Sequence, residues 1–362
     1  MIAAIRAHRL LLAAALAIGA WRPAAALDTH RAVVERFIGH MAYHDAFDEP
    51  QLRALLAAAK SQPAIIAAMA RPVEKTLPWY QYRPIFLNEK RIQEGVDFWR
   101  AHQGELDASS ARTGVAPQYV VAILGVETYY GTLTGQYRVL DALTTLAFDY
   151  PSRSKFFRSE LEQFLLLARD QGIDPLTATG SYAGAMGAPQ FMPSAYRRYG
   201  LDASGDGRVD LWSNWPDVFD SVGYFLKDHG WTGGAPVLSD ASVAPDIVPA
   251  AAAGALAAGE AQIRLSATVG SLQAQGVRID RAPPADTPAV LIPAQQADGV
   301  HWRVGYENFY ALTRYNRSPL YAMAVYELAC ALQSRVEGAP RPADAPQRAA
   351  IAGRDAAPRG SP

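Results

Sequence analysis

The stretch PQYVVAILGVETYYG, Pro117 to Gly131, constrains this chain more than any other. Tyr119, Val120, Val121, Ile123, Leu124 and Val126 make it apolar almost all round. That pattern predicts a helix inside a core, because a surface helix keeps one polar face. Pro117 fits the first helical turn, where its missing N–H costs little. Gly131 can end the helix in the left-handed region. The helix carries one ionisable side chain, Glu127, near its C-terminal end. Burial and the negative end of the helix dipole both disfavour a charged carboxylate there. A carboxylic acid kept neutral at about pH 7 is what general-acid catalysis needs. Taken alone, the stretch also fits a structural Glu bonded to backbone or to an arginine.

A chain of 362 residues that is 50% hydrophobic can bury a substantial core in two or three lobes. Its formal net charge of -1 gives no basis for binding nucleic acid, which wants a basic face. Arg6, His8 and Arg9 precede an apolar run from Leu10 to Ala20, and Ala24-Ala25-Ala26 follows. This order reads as a secretory signal peptide over residues 1–26, with cleavage after Ala26. An uncleaved N-terminal anchor is the competing reading, although the run is short for a membrane span. The only cysteine, Cys330, lies far from this segment, so the chain is not read as a lipoprotein. It also leaves no partner for an intrachain disulfide, and its apolar setting reads as an inert core position.

Along the chain, Thr29 to Met69 has helical spacing and predicts two or three helices. The aromatic segment PWYQYRPIF is punctuated by Pro78 and Pro84 and reads as extended. Asn88 is placed to cap a helix from Glu89 to Ala101, and a further helix leads to Gly114. Phe156 to Arg169 and Asp217 to His229 read as helices. Between them, SYAGAMGAPQFMPSAYRRYG is dense in small residues, which lets backbone approach another element or a ligand closely. Ala261 to Leu265 and Ala289 to Ile292 read as strands of a small β lobe, and Ala250 to Ala258 as a helix or an insert. The Pro- and Ala-rich tail, 337–362, reads as disordered.

Four segments, AILGVETYYG, SYAGAMGAPQFMPSAY, DSVGYFLKDHGW and NFYALTRYNRSPLYAMAV, resemble the membrane-bound lytic murein transglycosylase B family, including its soluble periplasmic form. They fall in the family order, and the resemblance covers most of the chain from about Phe37 to Leu332. The resemblance implies a mainly α (α+β) fold: a lysozyme-like helical core, a flanking helical lobe and a small antiparallel β lobe. Mapped onto this chain, the helical lobe is 27–110, completed by 318–336, and the catalytic core is 111–235, completed by 301–317. The β lobe is 236–300.

The implied activity is that of a lyase cutting the β-1,4 bond between N-acetylmuramic acid and N-acetylglucosamine, leaving a 1,6-anhydro end. It places the acid and base role on Glu127. Tyr82, Arg153, Ser181, Gln190, Tyr315, Asn316 and Tyr321 match cleft positions, with rings packing on sugar faces and polar groups binding hydroxyls and amides. Ser152 stands where the family pattern has a second arginine beside Arg153, and Phe156 where it has a tyrosine. Implied partners are peptidoglycan glycan strands and cell-wall synthesis or remodelling proteins, with a monomer in the periplasm and no required cofactor.

Physical chemistry is compatible with a single carboxyl. Glycoside hydrolases pair an acid with a second carboxylate, and the acids that follow Glu127, Asp141 and Asp149, are not placed in space by sequence. The muramic 6-hydroxyl can instead attack its own anomeric carbon with the effective concentration of an intramolecular reaction. Two rivals remain: a muramidase hydrolysing the same bond, and a peptidoglycan-binding scaffold without catalysis.

The loop LDASGDGRVDLWS also carries a signal. Asp202, Ser204, Asp206 and the Arg208 carbonyl follow the first ligand positions of an EF-hand-like calcium loop, with Gly207 at the sixth place. The twelfth place is Ser213 rather than an acid, and Arg208 adds positive charge. Structural calcium and a metal-free turn held by Asx hydrogen bonds both stay open.

Overall fold

The structure is a computed structural model that describes residues 26–70, 77–243 and 263–338. The signal-peptide segment up to residue 25, the alanine run at 250–258 and all but the first two residues of the tail lie outside the described residues.

Three helices open the described chain: α1 (Ala32–His44), α2 (Glu49–Ala57) and α3 (Pro63–Met69). The aromatic segment then forms a helix, α4 (Trp79–Phe86), and not the extended strand its prolines suggest. Pro78 stands at the N-cap, where it breaks nothing. Pro84 costs one backbone hydrogen bond, while burial of Trp79 and Tyr82, 0% and 2% exposed, holds the helix in place. α5 (Glu89–Ala101) starts as read, with the Asn88 side chain accepting from the Arg91 N–H. α6 (Gln103–Thr113) ends on left-handed Gly114.

The organising helix is α7 (Pro117–Thr128). Val120 to Gly125 are all buried, and the helix packs against α5, α6, α11 (Trp215–Asp228) and α14 (Pro319–Glu337). It is enclosed on several sides, which is why it is apolar all round. α8 (Val139–Asp149) and α9 (Ser154–Gln171) pack on one another beside it. A minimal ribbon, β1 (Tyr137–Arg138) with β2 (Thr179–Gly180), ties the chain entering α8 to the chain leaving α9, and α10 (Pro193–Tyr199) packs on α9.

A five-stranded antiparallel sheet follows, in the order β4-β6-β7-β3-β5. Its strands are β3 (Leu238–Val243), β4 (Ala267–Thr268), β5 (Val277–Ile279), β6 (Pro288–Gln296) and β7 (Gly299–Gly305), with α12 (Val269–Ala274) between β4 and β5. Residues 263–265 are not a strand, so only the second of the two expected runs forms one. Strand alternation explains how the sheet sits. Ala289 and Leu291 face a small core with Val269, Leu272 and Val304, whereas Val290, Ile292 and Ala294 join the main helical core. That main core runs without interruption from α1 through α7 to α13 (Glu307–Tyr315) and α14. Among the described residues, no helix is long and apolar enough to cross a membrane.

Candidate active site

Glu127 is the last but one residue of α7, and the chain turns away sharply after it. Tyr129 and Tyr130 are both left-handed, with φ of 53° and 60°, and Gly131 follows at 82°. The helix therefore ends at Thr128, before the glycine that sequence suggested as its terminator. Two consecutive bulky residues in this region cost roughly 1–2 kcal/mol each. Local contacts hold them there. The Tyr130 N–H donates to the Leu124 carbonyl at 3.0 Å and its hydroxyl to the Arg91 carbonyl at 2.8 Å. The Arg91 guanidinium lies 4.6 Å over the Tyr129 ring and donates to the Gly125 carbonyl at 2.5 Å. Strain of this kind persists where surrounding structure over-determines it, commonly at functional sites.

The turn leaves Glu127 half-buried rather than sealed in the core. The Tyr321 hydroxyl, from the first turn of α14, donates to Glu127 Oε1 at 2.8 Å. Tyr321 is 2% exposed, and burial first, then the nearby Glu127 charge, push its pKa well above the ordinary tyrosine value. It is therefore a hydroxyl donor at neutral pH. Tyr315, at the end of α13, lies nearly parallel to it, with centroids 6.4 Å apart and planes at 10°. Its pKa is raised for the same two reasons, and its hydroxyl donates to the Pro189 carbonyl at 2.6 Å.

That last bond ties the acid to the small-residue segment. The Thr128 hydroxyl donates to the Ala188 carbonyl at 2.8 Å and accepts from the Gly131 N–H at 3.0 Å. Ala188 and Pro189 are thus held by neighbours of Glu127, and Gln190 comes next. Gln190 is itself left-handed, with φ 53°, and its amide donates to the Thr134 and Gly187 carbonyls, each at 3.0 Å. Gly187, with φ 69°, lies where a Cβ would run into the Leu211 backbone. Its close approach is therefore to other backbone. From here a cleft of ≈ 530 Å³ opens, lined by Leu133, Gly135, Gln136, Tyr137, Ser181, Tyr182 and Gln190. Glu127 is not among its lining residues, and stands one link back through Thr128 and Ala188.

The structure thus brings Glu127, Tyr321, Tyr315, Gln190 and Ser181 into one connected region. Ser181 Oγ accepts from the Ala185 N–H at 3.0 Å. Asn316 is half-buried beside this group, its Oδ1 accepting from the Ser318 N–H at 3.1 Å. Tyr82 and Tyr321, both 2% exposed, offer no ring face to a sugar, contrary to the role the sequence suggested. Tyr321 instead serves the carboxylate. Arg153 is exposed and lies 4.5 Å over the Phe156 ring and 5.2 Å over Phe157, sharing no hydrogen bond or ring contact with the other candidates. Thr128 and Arg91 were not singled out by sequence. Their bonds run to backbone carbonyls elsewhere in the chain, which leave no local signature.

The acids that follow Glu127 are committed elsewhere. Asp141 accepts from the Lys60 N–H and from Arg138, and Asp149 pairs with Arg31 and accepts from the Ser61 hydroxyl. Both fasten the first helices onto α8.

In the loop after α10, Asp202 Oδ2 accepts from the Gly207 N–H at 2.8 Å, and Oδ1 from the Gly205 and Asp206 N–H groups and the Ser204 hydroxyl. These bonds, Gly207's foremost, hold the Asp202 carboxyl below its usual pKa. Asp206 Oδ1 accepts from the Arg208 N–H at 2.9 Å. Ser213 turns its hydroxyl to Asp210. The acid missing from the twelfth place is matched by one that sequence spacing did not point to. Asp217, 0% exposed, accepts from the Ala203 and Ser204 N–H groups on one oxygen and from the Asp210 N–H on the other. All these donor atoms are oxygens, which suits a hard cation such as calcium.

Comparison with known proteins agrees with this architecture. Residues 29–330 match the family described as the transglycosylase SLT domain. Over 303 residues the chain is 37% identical to membrane-bound lytic murein transglycosylase B of Escherichia coli (strain K12), covering 81% of each. Among solved structures, it is similar to soluble lytic transglycosylase SltB1 from Pseudomonas aeruginosa, with 43% identity and a TM-score of 0.77 over 84% of this chain and 99% of that one. It is also similar to the Escherichia coli lytic transglycosylase Slt35 in complex with calcium, with 35% identity and a TM-score of 0.77 over 87% of this chain and 97% of that one. Matched over most of its length by the family and by both solved structures, the chain belongs to the transglycosylase SLT family and is a lytic transglycosylase.

Proposed function

We propose that the substrate is peptidoglycan and that Glu127 alone performs the acid and base steps. The carboxylic acid protonates the glycosidic oxygen as the bond from the muramic anomeric carbon breaks. The 6-hydroxyl of the same muramic residue then bonds to that carbon and gives its proton back to Glu127. The products are a free N-acetylglucosamine 4-hydroxyl and a 1,6-anhydro-N-acetylmuramic end, with no water consumed. One observation carries this reading. Glu127 is held by the Tyr321 hydroxyl at 2.8 Å, while the next acids, Asp141 and Asp149, are bound to the first helices. A substrate hydroxyl held in place supplies the nucleophile that a second carboxylate would otherwise provide or activate.

In this reading the cleft from Gln190 to Ser181 takes the sugar N-acetyl and hydroxyl groups, with Asn316 adding an amide and Tyr315 shaping its floor. Arg153 serves a more distant part of the glycan or its peptide stem, and Tyr82 backs the ring of Tyr321. The named relative acts on murein, which supports a periplasmic enzyme exported by the N-terminal segment and placed among cell-wall proteins. The separate small core of the sheet supports the β lobe as a unit of its own.

Asp202, Ser204, Asp206, the Arg208 carbonyl and Asp217 would hold a calcium ion of purely structural role, as the calcium complex of the solved relative supports. A melting curve with and without chelator checks this, and an unchanged midpoint would remove the ion from the account. For the reaction, purified sacculi digested with the enzyme are analysed by mass. Anhydro ends, lighter by one water than hydrolysed ends, are expected, and Glu127→Gln should bind sacculi without cutting them. Hydrolysed ends, or cutting by the variant near the wild-type rate, would overturn the mechanism.

A further inference from the structure

Away from the cleft, the end of α1 and the middle of α9 bring three metal-ligating side chains together. A nitrogen of His40 and carboxylate oxygens of Asp45 and Glu162 all lie within 4.8 Å of one another. Among the described residues no other His, Cys, Asp and Glu side chains meet so closely in a group of three or more. His40 Nε2 and Glu162 Oε2 are 3.5 Å apart. Ligand atoms about 2.0–2.2 Å from a tetrahedral zinc lie roughly 3.3–3.6 Å from each other, so this pair already has the needed separation.

A further observation points to a cation rather than a plain ion pair. Asp45 Oδ2 is sealed from solvent and has no hydrogen-bond donor among the described residues. A buried, unpartnered carboxylate oxygen is costly unless something neutralises it. Arg169 does not, since it donates instead to the Asp45 carbonyl at 2.7 Å and pairs with Asp170 at 3.1 Å. A groove of ≈ 370 Å³ adjoins the group and is lined by His40 and Glu162 together with Arg36, Lys155 and Arg158.

We propose that His40, Asp45 and Glu162, with water completing the coordination, form a structural site for a divalent transition metal of the zinc class. An imidazole beside two carboxylates favours that class over calcium, which takes oxygen ligands. The two carboxylates balance the ion's charge. The metal clamps the last turn of α1 to α9, elements more than a hundred residues apart, at the point where the chain reverses through left-handed Ala46, φ 55°.

The test is titration of the untagged protein with zinc chloride by calorimetry in excess calcium, so that the oxygen-only loop does not compete. One zinc per chain and a raised melting midpoint are expected. His40→Ala and Glu162→Gln should each weaken zinc affinity by more than the roughly tenfold that loss of an outer-shell partner costs, and His40→Ala should abolish the rise in midpoint. Both residues lie outside the catalytic region, so unchanged activity on sacculi verifies that the variants fold. Cobalt substitution should give an intense visible absorption band that His40→Ala removes. Failure of the wild-type protein to take up stoichiometric zinc, or equal uptake by both variants, would overturn the site.

Discussion

The Tyr321 hydroxyl meets Glu127 Oε1 across 2.8 Å although the two residues are 194 positions apart. One arrives on the first turn of α14 and the other on the last turn of α7, and the two helices pack directly on each other. The acid's position is therefore fixed by helix packing and a buried donor, and not by its own helix alone.

Replacing Tyr321 by Phe keeps the ring and removes the donor. A hydrogen bond to a charged group contributes about 1.5–3 kcal/mol, so the turnover rate on sacculi should fall by roughly 10- to 100-fold. Because the ring is buried and faces no sugar, the substrate concentration at half-maximal rate should change little. A wild-type rate would show that the carboxyl is positioned by other groups.

Thr128 predicts a different signature. Its hydroxyl bridges Ala188 and Gly131, so it fixes the cleft segment against the catalytic turn. Thr128→Val is nearly isosteric but leaves the Ala188 carbonyl without this donor. A loss of about 1–3 kcal/mol of stability is expected in urea unfolding, together with reduced turnover. Thr128→Ser, which restores the hydroxyl, should recover most of both. Recovery of stability without activity would separate the fold role from the positioning role.

These two side chains mark the boundary of what the sequence makes legible. The apolar run of α7, the Asn88 cap and the stop at Gly114 are local signals, and each appears where expected. The helix α4 was hidden because two prolines in PWYQYRPIF argue for extended chain. What decides is burial of Trp79 and Tyr82 and packing of the helix on α14 and β6, which only the fold supplies. Glu127 was visible as a lone acid in an apolar helix, but its half-burial follows from the left-handed Tyr129 and Tyr130, residue types that ordinarily avoid that region. Asp217 escaped notice because it sits beyond the twelve-residue loop template, in the first turn of α11.

Cys330 provides a check on the helical core. It is half-buried, and burial, the leading cause, raises its thiol pKa above the ordinary value. Only the thiolate reacts rapidly. A chromogenic disulfide reagent at mildly alkaline pH should label the folded protein slowly and the denatured protein at once, with one thiol per chain. Rapid labelling of the native protein would mean that α14 opens readily around this residue.

The acid limb of the stability curve should report on Asp202. Its carboxyl accepts from three backbone N–H groups and the Ser204 hydroxyl, and its folded pKa lies below the unfolded value. The unfolded chain therefore binds its proton first as pH falls. The contribution of this carboxylate is complete above the unfolded pKa of about 3.9 and is lost as pH drops through the lower folded value. Asp202→Asn replaces one acceptor oxygen by an amide that cannot accept from the N–H groups around it. Measured with chelator present, the variant should melt lower than wild type at neutral pH. The gap should begin to narrow below about pH 4, where the unfolded chain takes up its proton first, and close only once the pH has passed the lower folded value. A gap that is constant across that range would mean that the Asx turn contributes through shape alone and not through charge.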